Sequence, residues 1–152
     1  MPLPQNINPI DRDTRDLLVR TAQMDWKPIP TDPERSFYKL LWTGSESGTW
    51  AILGRSFKGA VAPAHKHLGA SHTYVISGKI QVRDQIINAG DYIYEANGMV
   101  HDETTFLEDT DYIFICQGPQ LFFDENGFTG YFGWEQLREM NESQASAKKV
   151  TV

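Results

Sequence analysis

All four histidines of the 152-residue chain lie between positions 65 and 101. His65 and His67 are two residues apart in the segment PAHKHLG, and alternate side chains of a β-strand point to the same face. Two imidazoles arranged in this way can reach one metal ion, because metal–nitrogen bonds are about 2.0–2.1 Å long. An isolated His-x-His pair is more often exposed on the surface, so the surrounding residues must decide between these interpretations.

Two glycine-spaced motifs contain these histidines. The first reads GAVAPAHKHLGASH and runs from Gly59 to His72, and the second reads GDYIYEANGMVH and ends at His101. They resemble the two motifs of the cupin superfamily, G-x5-H-x-H-x4-E and G-x5-P-x-G-x2-H. The occurrence of both motifs at a short separation favours a metal site over exposed surface histidines, with His65, His67 and His101 as ligands.

The chain departs from the cupin motifs at two positions. His72 stands at the glutamate position of the first motif, and Ala96 stands at the proline position of the second. A site made only of neutral imidazoles keeps the full double charge of a divalent ion, which favours an anionic ligand. Two interpretations of His72 stay open. It is either a fourth metal ligand or a pocket histidine that donates a hydrogen bond without touching the metal.

Short apolar runs separated by Gly, Pro, Asn or Asp predict an all-β sandwich or small barrel. The predicted strands are Phe37–Trp42, Trp50–Phe57, Thr73–Ile76, Lys79–Ile86, Asp91–Tyr94, Tyr112–Cys116, Gln120–Phe123 and Phe128–Phe132. Tyr112–Ile115 is apolar at every position, which predicts burial on both faces. Trp134–Asn141 is predicted to be helical, and Asp16–Gln23 fits one or two helical turns.

The cupin resemblance implies a double-stranded β-helix, or jelly-roll barrel, as the fold. We expect residues 1–25 to form an N-terminal arm, 26–141 the cupin domain with a short helix at its end, and 142–152 a frayed polar tail. Single-domain cupins generally pair through edge strands, so the resemblance also implies a homodimer or a higher homo-oligomer.

Composition excludes several classes of function. The formal net charge is −6 and the pI is near 5.1, whereas nucleic-acid binding requires a basic face. No apolar run is long enough to span a membrane, and no secretory signal is visible at the N-terminus. Cys116 is the one cysteine, so no intrachain disulfide can form. These features predict a cytoplasmic protein.

Beyond the two motifs, the segments HKHLGASHTYVISGK, GDYIYEANGMVHD and GPQLFFDENG resemble the small single-domain cupin dioxygenases. The resemblance is recognisable over roughly residues 65–135, and it includes enzymes that cleave dihydroxyacetophenone or acetylacetone. It implies non-haem Fe(II) held by His65, His67 and His101, with O₂ used to break a carbon–carbon bond beside a carbonyl. The small-molecule substrate would be a diketone or a hydroxyketone. Zn²⁺, Mn²⁺ or Ni²⁺ can also occupy such a site.

The resemblance also places two charged residues at the pocket. Glu95 matches an acidic pocket residue of these relatives, and a base near the metal would help an enolisable substrate bind as an anion. Arg83 matches an arginine near the pocket of the diketone-cleaving type. Asp102 and Glu103 could orient an imidazole, or they could be surface loop residues. Exposed positions for Glu95 and Arg83 are the alternative to catalytic roles.

Several aromatic residues could line an apolar cavity, although most are expected to fill the core. They are Tyr74, Tyr92, Tyr94, Phe114 and Phe122. Trp134 is expected to be structural, and Cys116 is expected to be an inert core residue.

Two other classes of function stay open. One is a non-redox zinc or manganese enzyme, such as an isomerase or hydrolase, since three histidines and a water also suit catalytic zinc. The other is a metal-dependent sensor that binds a small ligand without turnover.

Overall fold

The computed structural model of the chain describes residues 17–150, with side chains described through residue 143. Most of the predicted N-terminal arm, residues 1–16, lies outside the described residues. A short 3-10 helix at Thr21–Gln23 precedes the strands. The strands are β1 (Lys27–Pro28), β2 (Ser36–Thr43), β3 (Trp50–Ser56), β4 (Val61–Ala62), β5 (His65–His67), β6 (Ser71–Ser77), β7 (Lys79–Val82), β8 (Gln85–Asn88), β9 (Tyr92–Glu95), β10 (Val100–His101), β11 (Thr104–Phe106), β12 (Thr110–Cys116), β13 (Gln120–Asp124) and β14 (Gly127–Phe132). One α-helix, α1, follows at Trp134–Val150.

The strands form three antiparallel sheets. The large sheet has the order β1-β2-β3-β12-β6-β9, the histidine sheet has the order β10-β5-β13-β14, and the hairpin sheet has the order β4-β11-β7-β8. Several neighbours, such as β3 with β12 and β5 with β13, are far apart in sequence, which is typical of jelly-roll connections rather than of simple hairpins. The predicted all-β fold is confirmed. No helix among residues 17–150 is both long and apolar enough to cross a lipid bilayer.

Two hydrophobic clusters fill the interior. The helix-side cluster is centred on Tyr38, Trp50, Ile52, Cys116 and Leu137. The hairpin-side cluster is centred on Ala60, Val75, Ile80, Ile87 and Phe106. Alternate residues of β2, β3, β6 and β12 supply the inward side chains, as the period of a strand requires.

The outer face of the large sheet is covered at one edge. The ring of Trp26 lies under the guanidinium of Arg55 at 4.4 Å and under Lys39 Nζ at 4.6 Å. Arg55 also forms a two-pronged ion pair with Asp111 across β3 and β12, at 2.7 and 2.8 Å. Such stacked and paired cations hold the segment before β1 against β2 and β3.

Two predicted elements differ in extent from the observed ones. Lys79–Ile86 is not one strand but a hairpin, β7 and β8, which turns at Arg83 with a positive φ of 55°. Glycine is the usual signal for that conformation, and this turn contains none. The C-terminal helix does not stop at Asn141. It continues to Val150, so the residues predicted as a frayed tail are helical up to that point, because Glu, Gln, Ala and Lys are good helix formers.

Burial of β12 also differs from the prediction. Tyr112, Ile113 and Phe114 are half-buried, and Ile115 is exposed at 37%. The inner face of β12 is packed against the interior, whereas Ile115 lies on the uncovered part of the large sheet. This outer face carries exposed apolar side chains on three adjacent strands, namely Tyr74, Ile76, Tyr92, Tyr94 and Ile115.

We expect Leu137→Ala to destabilise the fold, because Leu137 is the most deeply buried side chain that α1 contributes to the helix-side cluster, with 1% exposure. Deletion of a buried leucine side chain typically costs about 2–5 kcal/mol. Chemical denaturation followed by tryptophan fluorescence measures the loss. The matched control is Leu18→Ala, since Leu18 is 70% exposed, and its effect should stay within about 0.5 kcal/mol. Equal losses in both variants would contradict the packing of α1.

Candidate metal centre

Three of the four histidines meet inside the protein. His65 and His67 point inward from β5, and Lys66 between them is exposed. His101 ends β10 and pairs in register with His65. All three side chains are buried, and one ring nitrogen of each lies within 4.8 Å of the other two. The two sequence motifs are therefore brought together by the pairing of β5 with β10.

Backbone carbonyls fix the orientation of two of these rings. His65 Nδ1 lies 2.8 Å from the carbonyl oxygen of Pro63, and His101 Nδ1 lies 2.7 Å from that of Asp102. A carbonyl oxygen only accepts, so each Nδ1 carries the proton and donates it. In the neutral form of each ring the other nitrogen, Nε2, then carries the lone pair, and the Nε2 atoms of both rings face the interior.

The third ring, that of His67, is fully buried beside a thiol. Its Nδ1 lies 4.0 Å from Cys116 Sγ, and the thiol donates to the carbonyl oxygen of Gly118 at 3.1 Å. Burial raises the pKa of the Cys116 thiol to about 11, so this group stays a neutral packing partner at physiological pH. Gly118 is required here because a Cβ would collide with the carbonyl oxygen of Leu68.

The nitrogen atoms of the three rings fit a divalent cation. Burial lowers the pKa of both His65 and His67 to about 4, so both rings are neutral near pH 7, as metal ligands must be. His65 Nε2 and His67 Nε2 lie 3.1 Å apart. Two ligands at a right angle around a metal with bonds of about 2.1 Å would be separated by about 3.0 Å. The same distance also suits a hydrogen bond from His67 Nε2 to His65 Nε2 when the His67 ring carries its proton on Nε2.

Glu95 supplies a carboxylate to the same place. It ends β9, is 7% exposed, and has its Oε2 atom 3.3 Å from His101 Nε2 and 3.7 Å from His67 Nε2. That oxygen has no hydrogen-bond donor among the described residues. Burial raises the pKa of Glu95, and the charges of His101 and Arg83 oppose this increase. A buried oxygen with no donor is suited to receive a proton or face a cation.

His72 is not part of this cluster, which corrects the prediction of a fourth histidine ligand. Its neighbours Ser71 and Thr73 are both buried, so His72 points to the outer face of β6. There its Nδ1 lies 2.5 Å from the hydroxyl of Tyr92. The inward position belongs to Ser71, which is opposite Glu95 in the register of β6 and β9. The carboxylate of the site thus comes from the second motif rather than the first.

Arg83 and the two acidic residues after His101 lie outside the cavity. Arg83 is exposed and donates from Nη2 to the carbonyl oxygen of Val100 at 2.7 Å, which ties the β7–β8 turn to β10. Arg83 acts on the site through its positive charge, which partly offsets the increase that burial causes in the pKa of Glu95. Asp102 orients His101 through its backbone carbonyl rather than its carboxylate, and the side chains of Asp102 and Glu103 are exposed.

The histidines open onto a cavity of about 270 Å³ with a largely apolar wall. Both hydrophobic clusters contribute to this wall, for example through Ile52 and Ile80. Two of the aromatic residues that the sequence suggested, Phe114 and Phe122, line the cavity. The others are exposed on the outer face of the large sheet: Tyr74, Tyr92 and Tyr94.

Sequence inspection gave no role to one polar side chain of the cavity wall, Gln120. It is half-buried on β13, where it pairs in register with His67, and its Nε2 lies 3.1 Å from His65 Nε2. Its position became visible only through the pairing of β13 with β5, because Gln120 is 55 residues away from His65 along the chain.

Comparison with known proteins agrees with this arrangement. The family model of the ChrR cupin-like domain matches residues 14–121, which is most of the chain. The chain belongs to this cupin family. The jelly-roll fold inferred from the two histidine motifs is thereby confirmed.

Individual relatives are similar over a larger part of the chain. The acetylacetone-cleaving enzyme of Acinetobacter johnsonii is 26% identical over 136 residues, which cover 84% of this chain and 89% of that enzyme. The crystal structure of the acetylacetone dioxygenase from the same organism has a TM-score of 0.76 at 23% identity, covering 85% of this chain and 93% of that one. A cupin-like protein of unknown function from Ralstonia eutropha has a TM-score of 0.81 at 22% identity, covering 91% and 90%.

We expect His67→Ala to abolish stoichiometric metal binding, because it removes one of three converging nitrogens. His72→Ala is the matched control, and its metal content should equal that of the wild type, since His72 faces the opposite side of β6. Metal-to-protein ratios by mass spectrometry, after loading with Fe(II) or Co(II) and desalting, measure the difference. Loss of metal from His72→Ala to the same degree would contradict the three-histidine centre.

Proposed function

We propose that this protein is a non-haem Fe(II) dioxygenase that cleaves the carbon–carbon bond beside a carbonyl in a small diketone or hydroxyketone. The observation that carries the proposal is three buried, converging imidazoles that lie, beside a buried carboxylate, next to an apolar cavity. The similarity to acetylacetone-cleaving proteins over 84% of the chain supports the same reaction class.

His65, His67 and His101 would hold the iron through Nε2, and Glu95 would stand beside it. Fe(II) bound there supplies the redox chemistry and open positions for an anionic oxygen ligand and for O₂. Three neutral ligands leave the ion with its full charge, so the site favours a substrate that binds as an enolate. A 1,3-diketone forms its enolate much more readily than a simple ketone does, so this preference favours the diketone.

Glu95 would act as the base that makes the enolate. Its Oε2 atom is buried, has no hydrogen-bond donor within the described part of the chain, and lies close to two of the ligand nitrogens. A carboxyl group with a raised pKa is a stronger base than an exposed one, and it holds the proton more readily once transferred. The acidic proton of a 1,3-diketone lies on the carbon between its carbonyls, and its transfer to Glu95 leaves the anion at the histidines.

The products follow from atom balance. Cleavage between a carbonyl carbon and the central carbon of a 1,3-diketone, with one atom of O₂ entering each fragment, gives a carboxylic acid and a 2-oxoaldehyde. No external reductant is needed. The role of the chain is to hold the substrate and keep water away, which the apolar wall of the cavity achieves.

The size of the cavity suits a compact substrate. A volume of about 270 Å³ corresponds to roughly nine water molecules at liquid density. The wall is formed by side chains from both hydrophobic clusters, including Ile52 and Phe114 on one side and Ile80 and Ile87 on the other. A diketone bound through its two oxygens could direct its two acyl groups into these apolar regions.

The protein is further proposed to form a homodimer. The exposed apolar residues of β6, β9 and β12 form one continuous outer face, and the segment around Trp26 covers only the neighbouring part at β2 and β3. Contiguous apolar surface of this kind marks association in soluble proteins. Light scattering after size exclusion measures the mass, and a monomer at micromolar concentration would contradict the pairing.

We expect the Fe(II)-loaded protein to consume O₂ with a 1,3-diketone and the Zn²⁺-loaded protein not to do so, because only iron can transfer electrons to O₂. An oxygen electrode follows the reaction with acetylacetone, 1-phenyl-1,3-butanedione and an aryl hydroxyketone. Turnover of another carbonyl substrate by the zinc form would favour a non-redox enzyme. Tight binding of these compounds without O₂ uptake would favour a sensor.

Substitution Glu95→Gln keeps the shape of the side chain and removes the base. We expect kcat to fall by about 10²- to 10⁴-fold, the usual contribution of general base catalysis, while the protein still binds metal. Glu103→Gln is the matched control, since Glu103 is exposed on the loop after β10, and it should retain wild-type kcat. Steady-state kinetics with acetylacetone, normalised to iron content, separates the two. An unchanged kcat in Glu95→Gln would remove the base from the mechanism.

A further inference from the structure

Gln120 is the one uncharged side-chain amide within hydrogen-bond distance of the metal centre among the described residues. It lies on β13 opposite His67, and it shares the inward face of that strand with Phe122, which pairs with His65. Gln120 and Phe122 both line the cavity. The amide is thus built into the wall of the site by strand register, not by a loop.

The direction of the hydrogen bond identifies which amide atom faces the histidines. His65 Nδ1 donates its proton to the carbonyl oxygen of Pro63. In the neutral ring His65 Nε2 can then only accept a hydrogen bond. The Gln120 atom 3.1 Å away is Nε2, whose N–H group points at that lone pair. When a cation occupies the lone pair, this N–H loses its acceptor, and a half-buried amide donor is costly to leave without one. It must then turn to an oxygen of whatever anion lies beside His65.

Glu95 lies on the other side of the same centre. Its Oε2 atom faces His101 and His67, whereas the Gln120 amide faces His65. The site therefore has an acceptor on one side and a donor on the other. An enolisable substrate has matching polarity, since the proton to be removed needs the acceptor and the anionic oxygen needs a donor.

We propose that Gln120 binds the anionic oxygen of the substrate through its amide N–H, and that together with Glu95 it sets which way round the substrate lies. The inference rests on the proposed metal centre and deepens the proposed function. Gln120 is a binding residue here, not a metal ligand, because its donor group and not its carbonyl oxygen faces His65. The substrate class it selects is an oxyanion, namely an enolate or the enolate form of a hydroxyketone.

The test uses the Co(II)-loaded protein, whose visible spectrum reports anion binding without turnover. Two probes are titrated, acetylacetonate and acetate, into the wild type, Gln120→Leu and Gln120→Glu. We expect cobalt content to stay at the wild-type level and the Kd of both probes to rise by about 10- to 100-fold in Gln120→Leu, as loss of one hydrogen bond to a charged group requires. Gln120→Glu should weaken binding at least as much, since it keeps the shape but repels the anion.

The control is Gln117→Leu, which changes an exposed glutamine three residues earlier and should leave both Kd values unchanged. Three results would overturn the proposal: unchanged Kd in Gln120→Leu, weaker binding in Gln120→Leu than in Gln120→Glu, or loss of cobalt in Gln120→Leu. The last would make Gln120 a metal ligand. If the wild type binds acetate but not acetylacetonate, the proposed substrate class fails, and the acetate titration alone decides the role of Gln120. A wild type that binds neither probe has no anion site, which would overturn both the proposed role of Gln120 and the proposed substrate class.

Discussion

The burial of three converging imidazoles beside an apolar cavity is the constraint on which the rest of this structure depends. Burial lowers the pKa values of His65 and His67, because an imidazolium loses its hydration in the interior. These two rings are therefore neutral near pH 7 and can offer lone pairs to a cation, as metal ligands must. Each other feature of the site either orients the three rings or would use the charge that a cation brings.

Orientation comes mainly from the backbone. The carbonyl oxygens of Pro63 and Asp102 fix which nitrogen of His65 and His101 carries the proton. Main-chain atoms are placed by strand pairing, so they tolerate changes of side chain that a carboxylate partner would not. This explains why the exposed side chains of Asp102 and Glu103 are dispensable for orienting the rings, although they stand next to a ligand in the sequence. It also links the stability of β5 and β10 directly to metal affinity.

The three-histidine site could be predicted from sequence because its determinants are local. Alternation along β5 puts His65 and His67 on one face, and a glycine-marked turn precedes His101. The prediction of His72 as a ligand was wrong because it followed the glutamate position of the motif, whereas the alternation of buried residues continues from His67 to Ser71 and turns His72 outward. The turn at Arg83 was missed since a residue other than glycine adopts the left-handed conformation. Gln120 could not be found at all, because its place depends on long-range pairing with β5.

Glu95 gives the site a carboxylate, although the glutamate position of the first motif holds His72, which faces outward. Ser71 and Glu95 are opposite each other on β6 and β9, and both are buried. A serine leaves space that a glutamate at the same position would fill, so the longer side chain of the neighbouring strand can extend toward His101 and His67. A carboxylate that reaches the centre from β9 lies 3.3 Å or more from the ring nitrogens. The ring nitrogens of the three histidines lie within 4.8 Å of one another, and Glu95 is not part of that group. Its carboxylate would therefore be available to a proton of the substrate, whereas a carboxylate bound to the metal would have much of its basicity neutralised.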